Sequence, residues 1–235
     1  MVRFLLVLAL VVLPLAAFAG WRAFRDWEPD PSRYPVRGID VSHHQGDIDW
    51  QAVAADDVAF AYLKASEGGD HRDREFAGNW RAARAAGLKV GAYHFFTFCR
   101  PGADQARNFL AAVPAMPGAL PPAVDLEFGG NCGAMPSHAD LRRELDAFLG
   151  LVEARYGRQA VLYVTPDFHR AYGGALPDRP LWKRKIVMPP FGGRPWTLWQ
   201  FHNRGEVDGV TGPVDLNVFA GDAVAFEAFA RGALY

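Results

Sequence analysis

Four acidic residues stand in short alternating segments, where apolar residues flank each of them. They are Asp40 in GIDVS, Asp125 and Glu127 in AVDLEF, and Asp215 in PVDLNVF. Side chains on a strand alternate between its two faces, so each segment would turn its apolar residues to one side and its acids to the other. A register shifted by one residue would bury the acids against apolar neighbours, where unpaired charges are costly. The pattern therefore predicts that all four acids face one common interior.

Four crowded carboxyl groups could carry out acid–base chemistry. Like charges disfavour simultaneous ionisation, so at least one of the four should keep its proton near neutral pH, as a general acid must. Glu127 is the candidate for that acid. Each acid taken alone has a structural alternative, which is pairing with Lys64, Arg37 or a backbone N–H group. The convergence of four acids favours an active site.

The order of segments after Arg37 indicates which strands and helices position these acids. Short apolar or alternating segments are interleaved with helical ones, which indicates parallel strands joined by crossovers. We therefore predict the α/β class and a single irregular TIM-like barrel, because eight such strands suit closure. Each acid would then lie near the C-terminal end of its strand, at the barrel mouth where active sites are built. The candidate strands are residues 37–42, 58–65, 89–96, 122–127, 160–165, 184–188, 196–201 and 213–219.

Helical signals fill the spaces between the first strands. The clearest helix has Ser137 as its N-cap, Asp140 three residues on, and Gly157 as its stop. Apolar residues at three-to-four spacing predict two more helices, around residues 76–83 and 106–113. The final third of the chain is poorer in this pattern, so we expect loops or hairpins between the last strands.

Aromatic, amide and charged residues cluster at other predicted strand ends. Flat apolar faces stack on the C–H faces of sugar rings, and polar tips orient hydroxyl groups, although an aromatic residue taken alone is more often part of a core. Glu67, just beyond a strand, is either a fifth carboxylate at the mouth or a loop charge. The other candidates for substrate binding are Lys64, Tyr93, Tyr163, Trp199 and Gln200.

The first 20 residues form an apolar run after Arg3 that is typical of an export signal. Ala17-Phe18-Ala19 fits the pattern of a cleavage site, but the run approaches the ~20 residues needed to span a bilayer as an uncleaved anchor. Both possibilities stay open, and either predicts a periplasmic, cell-envelope or extracellular protein. Residues 21–35 are expected to be a linker and residues 36–235 the barrel domain.

Export bears on the two cysteines, Cys99 and Cys132, because an oxidising compartment allows them to form a disulfide. Each falls just past one of two consecutive predicted strands, close enough for a bridge, and the alternative is two unpaired buried thiols. Neither their spacing nor that of the seven His fits a metal site, so no metal or cofactor is predicted. The formal net charge of -1 provides no field that would attract nucleic acid. We expect a monomer.

Across residues 36–220 the sequence resembles glycoside hydrolase family 25, the N-acetylmuramidase or lysozyme family. The resemblance rests on ordered segments: GIDVSHHQG, FAYLKASEG, GLKVGAYHFF, PAVDLE, VLYVTP, WQF and GPVDLNVF. It implies an irregular β/α barrel that hydrolyses the β-1,4 bond between N-acetylmuramic acid and N-acetylglucosamine in peptidoglycan, without metal or cofactor. The segment LWKRKIVMPP, residues 181–190, departs from the family pattern, so the resemblance does not extend to the sugar-binding subsites on that side.

The resemblance also implies roles for the acids. Glu127 would protonate the departing glycosidic oxygen, and Asp125 would orient the substrate's 2-acetamido group as it attacks the anomeric carbon, giving an oxazolinium intermediate and retention. Asp40 and Asp215 correspond to two further acidic positions that bind the sugar and tune the pair. The spacing along the strand alone leaves retention and inversion both open.

Two other functions fit the same sequence. One is a glycan-binding barrel without turnover, because a fold does not fix a function. The other is a glycosidase that acts on another N-acetylated polysaccharide such as chitin. Binding without product would favour the first, and a comparison of the two polymers would separate the second from a muramidase.

Overall fold

The strands close into a barrel in the computed structural model, which describes residues 2–232. Eight strands follow one another around the barrel in the order β1-β2-β4-β5-β6-β7-β8-β9, and β9 pairs back onto β1, while the two-residue β3 extends β2 outside the circle. The predicted α/β barrel of eight strands is confirmed. The strands are β1 (Arg37–Val41), β2 (Phe60–Glu67), β3 (His71–Arg72), β4 (Lys89–Phe95), β5 (Ala123–Leu126), β6 (Val161–Val164), β7 (Leu181–Arg184), β8 (Leu198–Gly205) and β9 (Val214–Phe219).

Strand β9 is reversed relative to its neighbours. It runs antiparallel to both β1 and β8, whereas the other pairs within the barrel circle, from β1–β2 to β7–β8, are parallel. Residues 185–197 and 206–213, which join β7 to β8 and β8 to β9, contain no helix. The expectation of an irregular side with loops or hairpins between the last strands is therefore confirmed.

Helices cover the outside of the other strands, as the apolar spacing predicts. Ser137 accepts a hydrogen bond from the backbone N–H of Asp140 at the start of the longest barrel helix, and Gly157 ends it in the left-handed conformation at φ 66°. Both predicted helix ends are confirmed. The helices are α1 (Val2–Arg25), α2 (Trp50–Ala55), α3 (Phe76–Ala85), α4 (Gly102–Ala112), α5 (His138–Tyr156), α6 (Pro166–Tyr172) and α7 (Ala223–Ala230).

The core has two layers, one on each face of the barrel wall. The outer layer, between strands and helices, contains the residues predicted to point outward from the acid-bearing strands: Ile39, Val41, Val124, Leu126, Leu216 and Val218. The inner layer fills the lower part of the barrel with aromatic rings, and Phe226 and Phe229 of α7 pack against it from below. Apolar side chains therefore fill the lower end of the barrel interior, and the upper end is left for polar groups.

Glycine makes room for the rings inside the barrel. A Cβ at Gly91 would lie 2.3 Å from the ring of Tyr62, and one at Gly38 would lie 2.4 Å from the ring of Phe60. Any side chain at these two positions would displace a buried ring, so the strands approach the aromatic layer closely because they carry glycine there.

The position of β7 corrects one predicted strand. The expected strand at residues 184–188 is instead Leu181–Arg184, and Val187 has a left-handed backbone with φ 69°, a conformation in which a β-branched residue cannot continue a strand. The apolar residues that suggested the later position follow the strand end. The shift turns Trp182 and Arg184 toward the barrel interior.

Part of the segment at residues 21–35, expected to be a linker, packs against the barrel. Helix α1 continues to Arg25, and Trp27 and Tyr34 contact Trp199 with ring centroids 6.1 and 5.7 Å apart. His202 accepts a hydrogen bond at Nδ1 from the Arg204 backbone, so its Nε2 carries the proton and donates to the Phe24 carbonyl at 3.0 Å. Among the residues that the structure describes, no helix is long and apolar enough to cross a membrane.

A disulfide joins Cys99 and Cys132, whose Cα atoms lie 6.3 Å apart. The two cysteines follow β4 and β5, which are neighbours in the barrel. The predicted bridge is confirmed, and it ties together the loops that leave these two strands at the mouth.

Candidate active site

A cleft of about 370 Å³ opens at the upper end of the barrel, and all four predicted acids line it. Asp40 comes from β1 and Asp125 from β5, Glu127 directly follows β5, and Asp215 comes from β9. Acids far apart in the sequence thus converge on one space.

Asp215 lies at the mouth, but its position within its strand differs from the prediction. It is the second residue of β9 rather than a residue near its C-terminal end, and it lies at the mouth because β9 is antiparallel. In the β1–β9 pairing Asp215 stands directly opposite Asp40. Alternation alone predicts that the Asp215 side chain faces inward, but it does not predict that β9 is antiparallel to its neighbours.

Asp40 is held by a chain of oriented side chains. Its Oδ2 accepts hydrogen bonds from Gln200 Nε2 at 3.0 Å and from Asn217 Nδ2 at 2.7 Å. Tyr163 donates to the Gln200 oxygen at 2.9 Å, and Trp182 donates to the Asn217 oxygen at 2.8 Å. Because both amide oxygens are occupied by donors, both amide NH₂ groups must face Asp40, so its carboxyl group is fixed as an acceptor.

Asp125 lies in a different environment from Asp40. Its Oδ1 is shielded from solvent and has no hydrogen-bond partner among residues 2–232. Burial, and then the nearby charges of Glu127 and Asp40, hold the pKa of Asp125 well above its usual range. A neutral Asp125 near pH 7 would have one O–H group to donate, and the cleft is where a partner could approach.

The backbone around Glu127 is fixed by Asn131. The Asn131 Nδ2 donates to the carbonyls of Glu127 at 3.0 Å and Phe96 at 2.9 Å, and its Oδ1 accepts from the backbone N–H of Phe98. The disulfide at Cys132 comes directly after Asn131. Glu127 therefore projects from a braced loop, although it lies one residue beyond its strand.

Burial raises the pKa of Glu127, with Arg184 as the strongest opposing charge. Burial also raises the pKa of Asp40, against the hydrogen bonds from Asn217 and Gln200. For Asp215, burial and the charge of Asp40 raise the pKa to about 8. All four acids are therefore biased toward the protonated form, so the cleft can hold a proton near neutral pH.

Four of the six residues predicted to bind substrate line this cleft. Burial and the acids nearby raise the pKa values of Tyr93 and Tyr163 well above their usual range, so both hydroxyls remain protonated donors. Lys64 points its ammonium group over the ring of Phe95, 4.9 Å from the centroid. The four are Lys64, Tyr93, Tyr163 and Gln200.

Trp199 and Glu67 do not line the cleft. Gln200 faces inward, so its neighbour Trp199 faces outward, where it is fully buried among Trp27, Tyr34 and Trp196. The structure places Trp199 in the core and outside the cleft lining. Glu67 is the last residue of β2 and is paired with Lys64 at 2.7 Å, so it is a strand-end charge outside the cleft lining and not a fifth carboxylate there.

Several lining residues were missed. Trp182 and Arg184 enter the cleft from β7, and alternation would have identified both if that strand had been placed at residues 181–184. His44 and Gln45 lie on a short 3-10 helix, where Ser42 accepts from the His44 N–H and the Gln45 side chain accepts from the Ser42 N–H. This capping box after β1 is a local signal that the sequence contains.

The donor groups of the site give no sign of a metal centre. Among the described residues, no group of three or more His, Cys, Asp or Glu side chains has the arrangement needed to hold a metal ion.

The comparisons with known proteins address the family. The family model for glycosyl hydrolases family 25 matches residues 39–210. The chain belongs to glycosyl hydrolase family 25. The resemblance drawn from the sequence motifs is confirmed, and the matched range includes the strands that carry Asp40, Asp125 and the loop of Glu127.

Relatives of this family 25 chain agree with the match. Protein YegX of Escherichia coli strain K12 is 35% identical over 240 aligned positions, which cover 98% of this chain and 87% of YegX. Lysozyme M1 of Streptomyces globisporus is 34% identical over 214 positions, covering 83% of this chain and 71% of that enzyme. The structure of a family 25 glycosyl hydrolase from Bacillus anthracis superposes with a TM-score of 0.81 at 36% identity, covering 87% of this chain and 96% of that one.

Proposed function

We propose that this chain is a muramidase that hydrolyses the β-1,4 bond between N-acetylmuramic acid and N-acetylglucosamine in peptidoglycan. The observation that carries the proposal is the convergence of acids from β1, β5 and β9 in one cleft, where burial raises the pKa of every one of them. Family membership and the similarity to Lysozyme M1 support the choice of substrate.

Glu127 acts as the general acid. The leaving sugar alcohol needs a proton at the glycosidic oxygen, and a carboxyl group with a raised pKa keeps its proton to a higher pH than an ordinary Glu. Asn131 and the adjacent disulfide brace the loop, so the acid keeps its position as charge develops. Arg184 keeps this pKa from rising further, which favours release of the proton to the substrate.

Asp125 assists the acetamido group of the substrate. Its carboxyl group lines the cleft and can accept a hydrogen bond from the acetamido N–H as the carbonyl oxygen attacks the anomeric carbon. The attack would expel the glycosidic oxygen, protonated by Glu127, from the opposite face and give an oxazolinium intermediate. Water then attacks from the face that the leaving group has vacated, so the net result is retention. Asp40 and Asp215 contact the sugar from the opposite wall, with Asp40 fixed by Gln200 and Asn217.

A matched pair of variants tests the assignment of the acid. Glu127→Gln keeps the shape of the side chain but removes the proton donor, so we expect turnover on purified peptidoglycan to fall about 10³-fold without loss of folding. Glu206→Gln makes the same chemical change at an exposed residue outside the cleft and should leave turnover unchanged. Equal activity of the Glu127→Gln variant and wild type would remove Glu127 from the mechanism.

The products test the substrate bond. Mass spectrometry of digested peptidoglycan should find N-acetylmuramic acid at the new reducing ends. N-acetylglucosamine at the reducing ends would assign the other bond, and binding without new reducing ends would favour a glycan-binding barrel. Faster cleavage of chitin than of peptidoglycan would assign a different polymer.

We also infer that the chain is exported and acts as a monomer, with residues 1–20 either removed as a signal peptide or kept as an anchor. The apolar run and the Cys99–Cys132 disulfide support export. Mass spectrometry of the mature chain and alkaline extraction of membranes distinguish the two forms, and light scattering gives the oligomeric state. A full-length chain retained in the cytoplasm would contradict export.

A further inference from the structure

Arg184 lines the cleft, and the chemistry proposed above gives it no contact with the substrate. It is the last residue of β7, where the strand turns Trp182 and Arg184 to the inside and Lys183 to the outside. Its side chain is half-buried on the wall beside Gln200, its partner in the β7–β8 register. Its positive charge lowers the pKa of Asp40, Glu127 and Asp215, and it lines the same cleft as these acids.

The guanidinium group of Arg184 is free to bind a ligand. Within residues 2–232 it forms neither an ion pair nor a hydrogen bond, so its N–H donors face the open cleft. Lys64, the other permanent cation of the lining, is engaged with Glu67 at 2.7 Å and with the ring of Phe95. The planar guanidinium group has the geometry to bind a carboxylate with two parallel N–H···O hydrogen bonds.

The charge of the cleft makes such a contact necessary for an acidic substrate. Four carboxyl groups line the space, and any ionised fraction of them repels an anion. A neutral N-acetylated strand needs no compensation, whereas every N-acetylmuramic acid unit carries a lactyl ether that ends in a carboxylate or in a peptide stem with carboxylates of its own. An unpaired cation among the acids offsets this repulsion at one point of the cleft.

We propose that Arg184 binds a carboxylate of the glycan strand and makes the cleft selective for acidic over neutral N-acetylated strands. The inference rests on the proposed muramidase function and names the group that distinguishes its substrate. The carboxylate comes either from the lactyl group or from the peptide stem, and the substrates of the experiment separate these sources.

The test measures kcat/KM of the full-length chain on three substrates: peptide-free strands with lactyl carboxylates, the same strands with these carboxyls reduced to alcohols, and strands that carry peptide stems. We expect wild type to prefer the acidic peptide-free strands over the reduced ones by at least about tenfold, the size of a charge-assisted hydrogen bond. Arg184→Met should lose this preference to within about twofold, and Arg184→Lys should restore part of it. Lys185→Gln is the matched control, because it removes the neighbouring positive charge outside the cleft and should keep the preference.

Each result decides between roles for Arg184. A preference that survives in Arg184→Met overturns the proposal, as does an equal loss on acidic and reduced strands together with a shifted pH profile, since Arg184 would then only tune the acids. A loss confined to peptide-bearing strands assigns the carboxylate to the stem. If wild type cleaves none of the strands, the muramidase proposal fails by itself, and the ratio of binding affinities for acidic and reduced strands tests Arg184 in the same way.

Discussion

Replacing Asp215 with Asn should stabilise the protein in a way that depends on pH. Burial and the charge of Asp40, directly opposite, raise the pKa of Asp215 from 3.8 to about 8 in the folded protein. A carboxyl group with a raised folded pKa binds its proton more tightly in the folded state than in the unfolded state. The free energy of unfolding therefore falls as pH rises from about 4 to about 8, where the unfolded chain has already released this proton.

The magnitude follows from the two pKa values. One pKa unit corresponds to about 1.4 kcal/mol, so the full gap of about four units is worth ~6 kcal/mol above pH 8. Water in the open cleft screens part of this penalty, and we expect about half of it, ~3 kcal/mol, to be measured. Asn cannot ionise but keeps the size of Asp, so Asp215→Asn should be more stable than wild type by this amount at pH 8 and equal to it near pH 4.

Urea unfolding of the full-length chain, followed by circular dichroism at pH 4, 5, 6, 7 and 8, measures this difference. Asp47→Asn is the matched control, because Asp47 is exposed and lies outside the cleft lining, and it should follow the wild-type curve. Two results would refute the idea that ionisation of Asp215 destabilises the folded protein. One is a constant difference between Asp215→Asn and wild type across this pH range, and the other is a variant less stable than wild type at pH 8.

Three further changes have expected outcomes. Replacing both Cys99 and Cys132 with Ser opens a loop with a sequence separation of 33, which should lower the free energy of unfolding by about 3–4 kcal/mol in urea titrations. Ser137→Ala removes the N-cap of α5 and should cost about 1 kcal/mol by the same measurement, whereas Ser137→Asp should cost almost nothing. Trp182→Phe removes the donor that orients Asn217, so we expect about tenfold lower kcat. It should also lower the free energy of unfolding by roughly 1–3 kcal/mol, because a buried ring is made smaller and a buried amide oxygen loses its donor. An unchanged kcat would show that this orientation is dispensable.

The sequence predicts the barrel well where local rules are strong. Alternation around Asp40, Asp125 and Asp215 settles which side chains face the interior, because the opposite register would bury charge among apolar helices. Helix α5 is marked at both ends by residues with a defined chemical role, Ser137 and Gly157. These signals are contained within a few residues, so no knowledge of the rest of the fold is needed to interpret them.

The errors arise where distant parts of the chain decide the outcome. Trp199 looks like a sugar-binding aromatic residue, but its environment is created by Trp27 and Tyr34, which lie more than 160 positions earlier. Strand β7 was predicted too late in the sequence because the apolar residues after Arg184 resemble a strand, whereas in the structure β7 ends at Arg184 and Val187 beyond it has a left-handed backbone. The amide groups of Gln200 and Asn217 converge on Asp40 from two other strands, an arrangement that no single segment of the sequence encodes.

The reversal of β9 has a consequence for how this enzyme could be altered by insertion or deletion. In the parallel strands, length changes in a loop at the mouth occur downstream of the acids, whereas the segment 206–213 leads directly into Asp215 from the upstream side. A single residue added there could slide β9 past β1 and turn Asp215 outward, since side chains alternate along the strand. Insertions or deletions in this connection should therefore abolish or restore catalysis, whereas insertions in loops at the opposite end of the barrel should leave activity unchanged.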